Sequence, residues 1–168
     1  DRRVRADGGT IYIEAGSIWR KKPAILVYDV DTRVARRVLE GHEAVSAQNY
    51  VIRNPIRTMS FLGGLVNLKA GVDGIALDPD NEWLYIAAMN NANLYRVPVR
   101  ALLDPLLPER QLATEVERYS AKPLSDGLSA DLDGNIYVTD VEHGAVFIVG
   151  PRREPETLIR STRVRWAD

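Results

Sequence analysis

The sequence predicts an all-β fold of the propeller class, with about three four-stranded blades along 168 residues. Three observations lead there. First, the chain repeats itself. Val72-Asp73-Gly74-Ile75-Ala76-Leu77-Asp78-Pro79-Asp80-Asn81, Trp83-Leu84-Tyr85-Ile86-Ala87-Ala88 and Asn93-Leu94-Tyr95-Arg96-Val97-Pro98 form one unit. Ser125-Asp126-Gly127-Leu128-Ser129-Ala130-Asp131-Leu132-Asp133-Gly134, Asn135-Ile136-Tyr137-Val138-Thr139-Asp140 and Ala145-Val146-Phe147-Ile148-Val149-Gly150 form it again. Second, the anchors run in parallel: Asp73-Gly74 with Asp126-Gly127, Tyr85 with Tyr137, Leu94-Tyr95 with Val146-Phe147. A period of roughly 40–55 residues built from short strands gives one blade per unit. Third, the repeat extends both ways. Asp7-Gly8-Gly9-Thr10-Ile11-Tyr12-Ile13 copies its second half near the start, and Val164-Arg165-Trp166-Ala167-Asp168 reaches the position of Asp73 and Asp126 at the end.

The individual strands follow from clusters of β-branched and aromatic residues between turn signals. They are expected at 3–6, 10–15, 24–30 and 34–39 in a first blade spanning 1–50. A second blade, 72–120, has strands at 73–78, 83–88, 93–98 and 114–119. A third, 125–168, has strands at 127–131, 135–140, 145–149 and 156–160. Asp78-Pro79-Asp80-Asn81 and Asp131-Leu132-Asp133-Gly134 carry hairpin-turn chemistry between first and second strands. In 99–112 the pattern breaks, and one helical turn is expected over 99–104 before Pro105 interrupts it. Residues 51–71 form an insertion between the first two blades; long loops of this kind either carry function or pack as apolar cover.

The composition (45% hydrophobic, 27% charged, net charge −1) points to neither nucleic acid nor a membrane surface as partner. No apolar run approaches the ~18 residues that a membrane helix needs. The lack of cysteine excludes disulfides, thiolate ligands and a cysteine nucleophile, and it leaves the compartment open. A secreted or periplasmic location is compatible with it, although this segment has no signal-peptide pattern. With no initiating Met, Asp1 is not expected to be the translation start. Three blades make half of a typical propeller, with two open radial faces that native proteins cover. Two explanations stay open: a piece of a protein about twice as long, or self-association of two copies into one ring.

Blade geometry selects one face of the disc. Entries of innermost strands and the loops between second and third strands share a side. That side gathers Asp73, Asp126 and Asp168 with Asn90, Asn91, Glu142 and His143, and the loop 17–22 with Trp19 beside Arg20, Lys21 and Lys22. Two carboxylates ~4 Å apart repel by about 1 kcal/mol in water and ~4 kcal/mol at an effective dielectric near 20. If they converge they need a cation, a basic neighbour or a proton, and an all-oxygen set suits Ca2+ or Mg2+. The bland alternative is that an Asp before Gly accepts backbone N–H groups and only shapes the turn. Each other candidate has a bland reading too: turn duty for Asn90 and Asn91, a solvated loop for Glu142 and His143, aromatic cover for Trp19. No Ser-His-Asp arrangement or phosphate-cradling glycine loop is visible.

The stretch Gly71-Val72-Asp73-Gly74-Ile75-Ala76-Leu77-Asp78-Pro79-Asp80 with Leu94-Tyr95-Arg96-Val97-Pro98 resembles the major royal jelly protein/yellow family. So do Ser125-Asp126-Gly127-Leu128 and Gly134-Asn135-Ile136-Tyr137-Val138-Thr139-Asp140, and Leu26-Val27-Tyr28-Asp29-Val30-Asp31-Thr32 followed by Arg36-Arg37-Val38-Leu39. The resemblance covers nearly the whole chain. It implies a six-bladed propeller, more distantly similar to gluconolactonase/regucalcin-type lactonases, and the lack of Cys resembles a bacterial member more than the insect ones. In those lactonases a divalent ion on the axis polarises the lactone carbonyl, so the resemblance implies Asp73 and Asp126 as ligands. Two departures stand against a direct transfer: Asp73 replaces the usual Asn, and the Glu ligand would come from a blade absent here. The expected function is therefore binding of a small polar ligand (sugar, lactone or amine-like) at the channel mouth. The alternatives are a Ca2+-dependent lactone hydrolase (if an enzyme, a metal-dependent lactonase or esterase) and a protein-interaction scaffold.

Overall fold

The computed structural model describes residues 2–4 (as backbone), 9–16 and 22–167. Three four-stranded antiparallel sheets follow one another along the chain. The first holds β1 (Arg2–Val4), β2 (Thr10–Ala15), β3 (Ala24–Asp29) and β4 (Val34–Val38) in sequential order. An insertion then carries a two-stranded hairpin, β5 (Ser60–Phe61) and β6 (Val66–Asn67). The second sheet is β7 (Val72–Leu77), β8 (Trp83–Ala88), β9 (Asn93–Pro98) and, after helices α1 (Val99–Leu103) and α2 (Glu109–Glu115), β10 (Glu117–Ala121). The third is β11 (Leu128–Ala130), β12 (Ile136–Asp140), β13 (Ala145–Val149) and β14 (Pro155–Arg160). This is the expected blade architecture: every blade is a meander, and the first strand of the middle blade, β7, packs on β11 of blade three and on β1 and β2 of blade one.

Strand periodicity explains why the middle blade is apolar on both faces. Successive residues of β8 point to opposite sides. Leu84 and Ile86 join Tyr12, Ile25, Val27 and Val72 in the core between blades one and two. Tyr85 and Ala87 join Leu128, Ile136, Val138 and Val149 in the core between blades two and three. The outward positions of the flanking blades, Ile11, Ile13, Leu26 and Tyr28 on one and Tyr137, Val146 and Ile148 on the other, are only half-buried. Among the described residues, no helix is long and apolar enough to cross a membrane.

One expectation is corrected. The fourth strand of blade two begins at Glu117 rather than 114, because α2 takes Glu109–Glu115 and buries Leu112 against the first core. The insertion packs as apolar cover, one of the two roles expected of it, and also carries the β5–β6 hairpin. It buries Ile52, Leu68 and Ala70 against Met89, Leu124 and Val141 in a third cluster, with Met59 and Trp166 packed beside them. Of the first expected strand, 3–6, residues 5 and 6 lie outside the described residues, as does the Asp7-Gly8 turn.

Candidate functional site

The repeat places a four-residue loop after the second strand of each of the last two blades: Met89-Asn90-Asn91-Ala92 and Val141-Glu142-His143-Gly144. Their surroundings differ. Asn90 is fully buried, its Oδ1 accepting the Ala70 N–H at 2.8 Å and its Nδ2 donating to the carbonyls of Tyr50 (3.2 Å) and Leu68 (3.1 Å). Asn91 is equally buried. Its Nδ2 donates to the carbonyls of Glu43 and Ser46, and its Oδ1 accepts the Asn93 N–H. Both amides therefore tie the 43–70 segment to blade two. Of the two roles open to this pair, ligand contact and turn duty, their backbone partners inside the protein match the structural one.

In blade three the equivalent loop is open. Buried Asp140 closes β12, and its Oδ1 accepts the N–H groups of Glu142 (2.9 Å) and His143 (3.0 Å). Its Oδ2 lies 2.9 Å from His143 Nδ1. Facing a carboxylate oxygen, Nδ1 is the donor of this pair, and Nε2 is not used by it. The His143 side chain is 61% exposed, an imidazole anchored by a buried carboxylate. Glu142 Oε1 accepts the Arg53 N–H at 2.7 Å, which joins the insertion to blade three. Gly144 follows with φ +61°; an added Cβ there would sit 2.4 Å from the Val164 carbonyl oxygen, so the 161–166 segment passes directly over this loop.

These elements enclose a cleft of about 570 Å3 whose walls include Arg57, Glu142, His143, Arg160, Arg165 and Trp166. The charged residues among its lining are Arg57, Arg160, Arg165 and Glu142. A smaller cavity of about 310 Å3 shares Glu142, His143 and Arg160 with it and adds Lys122, Asp140 and Phe147.

At the blade entries, Asp73 lies half-buried in β7 and Asp126 half-buried just before β11. Gly74 allows the two inner strands to meet: a Cβ there would stand 2.9 Å from Leu128 Cβ and 3.3 Å from the Asp126 carbonyl oxygen. Asp126 Oδ2 accepts the Trp166 indole N–H, while Thr139 Oγ1 accepts the Gly127 N–H at 2.8 Å. Trp166 adopts φ +49°, a left-handed conformation that costs a non-glycine residue on the order of 1 kcal/mol. Among the described residues, no three His, Asp or Glu side chains are grouped so as to hold a metal ion. Asp168 and Trp19 lie outside the described residues.

Sequence reasoning identified Glu142 and His143 but not Asp140, Trp166 or the arginines. The signal for Asp140 was present: an Asp followed at two and three positions by residues whose N–H groups it can accept is an Asx-type turn. Trp166 gave no such signal, because its partner lies 40 residues away.

The family model for the major royal jelly protein matches residues 7–158. Among curated proteins, no match is found. Solved structures that resemble the chain include a gluconolactonase from Xanthomonas campestris, with a TM-score of 0.63, 13% identity, 96% of this chain and 46% of that one covered. The nidogen/laminin complex gives a TM-score of 0.62 at 10% identity, covering 97% of this chain and 47% of that one. Hydrazine synthase of Kuenenia stuttgartiensis gives 0.55 at 14% identity, covering 96% and 35%. At these identities the likeness concerns the propeller fold, and this chain spans about half, or less, of the structures it matches.

Proposed function

The chain belongs to the major royal jelly protein family, and from that premise we propose that it is a ligand-binding propeller whose cleft beside His143 takes a small polar molecule. The observation that supports this most is the cleft of about 570 Å3 walled by Glu142, His143, Trp166 and three arginines. Its volume falls within the ~300–1,000 Å3 typical of small-molecule sites. Three arginines against one glutamate among its lining residues favour a ligand with negative charge, such as a sugar acid, over an amine. Trp166 offers a flat apolar surface, and the anchored His143 offers one fixed hydrogen-bonding atom. Calorimetric titration with a panel of sugar acids, neutral sugars, sugar lactones and amines tests the reading. Saturable binding of an acid that weakens at least tenfold in Arg165→Ala and His143→Ala is the expected result. Binding of amines alone, or of nothing in the panel, would defeat it.

A second reading is a Ca2+-dependent lactone hydrolase. The observation favouring it is that Asp73 and Asp126 stand at the entries of inner strands in direct contact through Gly74. Those carboxylates would ligate the ion, which supplies Lewis-acid polarisation of a lactone carbonyl. A calcium-dependent rise in melting temperature that disappears in Asp126→Asn would support it. An unchanged melting curve would remove it.

A further inference from the structure

Lys122 is the one lysine among the described residues that is buried, 5% exposed, and it has a role in neither reading above. It follows β10, and its backbone N–H donates to the Ala92 carbonyl. Its amine donates to Ser125 Oγ (2.8 Å) and to the Pro123 carbonyl (3.0 Å), both neutral acceptors. Among the described residues no carboxylate lies within ion-pair distance of it. A buried ammonium with neutral partners is costly, and the cost falls when the proton leaves. Desolvation accordingly brings the Lys122 pKa down to about 7. The residue also helps to wall the cavity of about 310 Å3, with Ala121, Pro123, Phe147 and Pro155 as its apolar part. The other titratable or charged groups on this wall are Asp140, Glu142, His143 and Arg160. Asp140 is bonded to His143, and Glu142 to the Arg53 N–H.

We propose that this smaller cavity is a carbonyl-capture site, in which Lys122 holds a small aldehyde or ketone as an imine and His143 relays the protons. A lysine desolvated in apolar surroundings is a recognised form of activated nucleophile. The nitrogen lone pair forms the C–N bond, and one proton passes from nitrogen to the former carbonyl oxygen. The C–O bond then breaks as His143 Nε2 takes the remaining proton from the nitrogen and passes it to the departing hydroxyl, which leaves as water while the C=N bond is completed. Amine and carbonyl give imine and water, with no oxidant or reductant. Asp140 is a positioning residue, holding the His143 ring by Nδ1 so that Nε2 carries the exchange.

Reductive trapping decides the matter. The protein is incubated near pH 7 with propionaldehyde and cyanoborohydride, which converts an imine into a stable secondary amine, and the adducts are mapped by mass spectrometry. Its lysines are Lys21, Lys22, Lys69 and Lys122. Near pH 7 the neutral fraction of Lys122 exceeds that of an ordinary lysine by on the order of a thousandfold. At least a tenfold excess of adduct at Lys122 over Lys22 and Lys69 is expected, and Lys122→Met should lose it. Adducts confined to the other lysines would overturn the proposal, whatever the outcome of the titrations with sugar acids. His143→Ala should slow trapping at Lys122 several-fold with only a small fall in melting temperature; an unchanged rate would remove His143 from the scheme. If Lys122→Met fails to fold, the map of the unaltered protein still decides.

Discussion

The loops 89–92 and 141–144 occupy the same position in successive copies of one repeat, yet one is sealed and the other open. In blade two, Asn90 and Asn91 lie fully buried under the 43–70 segment, their amides bonded to six backbone groups of that segment and blade two. In blade three, Glu142 and His143 line two hollows. A repeat dictates where a loop emerges; what covers it depends on an insertion that only one blade receives. Polar residues at equivalent positions therefore divide into a structural pair and a candidate binding pair.

The largest test of this contrast is Asn90→Ala, which leaves the Ala70 N–H and the Tyr50 and Leu68 carbonyls without their partner. At ~1–3 kcal/mol for each buried group left unpaired, with Tyr50 partly solvated, a loss of about 3 kcal/mol is expected. Urea unfolding checks it; a loss below about 1 kcal/mol would mean that the insertion is not held by this side chain. Asn91→Ala should follow at about 2 kcal/mol by the same reasoning.

Blade three should respond differently. Trp166→Phe keeps the ring but removes the N–H that Asp126 accepts, for an expected loss of about 1 kcal/mol. His143→Ala leaves only the buried Asp140 Oδ2 without its partner, for an expected loss of about 1 kcal/mol, while abolishing the binding proposed above. If His143→Ala destabilised the protein as much as Asn91→Ala, the two loops would be alike and the contrast would fail.

The turns on the other side of the blades sharpen the comparison. Asp78 accepts the Glu82 and Trp83 N–H groups, and Asp131 accepts those of Asp133 and Asn135. Asp131 also accepts the Asn135 side-chain amide (2.9 Å) and the Tyr137 hydroxyl (2.8 Å). With the Asn135 side chain as the largest cause, its pKa falls from 3.8 to about 2. A folded-state pKa below the unfolded one gives stability that is present above about pH 4 and lost as pH falls through about 2. Asp131→Asn should therefore flatten the acid limb of the stability profile in that window. A wild-type slope there would show that the turn does not prefer the ionised form.

Much of the fold was legible in local pattern. Asn81 (φ +57°) and Gly134 (φ +79°) close the same hairpin turn in two blades, as Asp-Pro-Asp-Asn and Asp-Leu-Asp-Gly imply. The blade strands emerged close to their expected bounds because alternation and turn chemistry act within a few residues. The start of β10 was misplaced because the α2 residues bury Leu112 without a long amphipathic stripe to announce it. His143 was legible as a loop residue after the second strand of blade three, and Asp140 as the start of an Asx-type turn, but the burial of Asp140 was not. Lys122 was silent, since burial is a property of what packs over a side chain and not of its neighbours in sequence.

By itself, then, the sequence determined the blade repeat, the strands and the face on which entries and loops meet, because each rests on period-two alternation and short-range turns. The tertiary structure decided which loop stays open. That choice depends on hydrogen bonds spanning 20 to 48 residues, from Asn90 to Ala70 and from Asn91 to Glu43, which bring the insertion over blade two and leave His143 and the Lys122 cavity beside it. Contacts at that separation form only when the insertion and the blades pack together, and no local pattern encodes them.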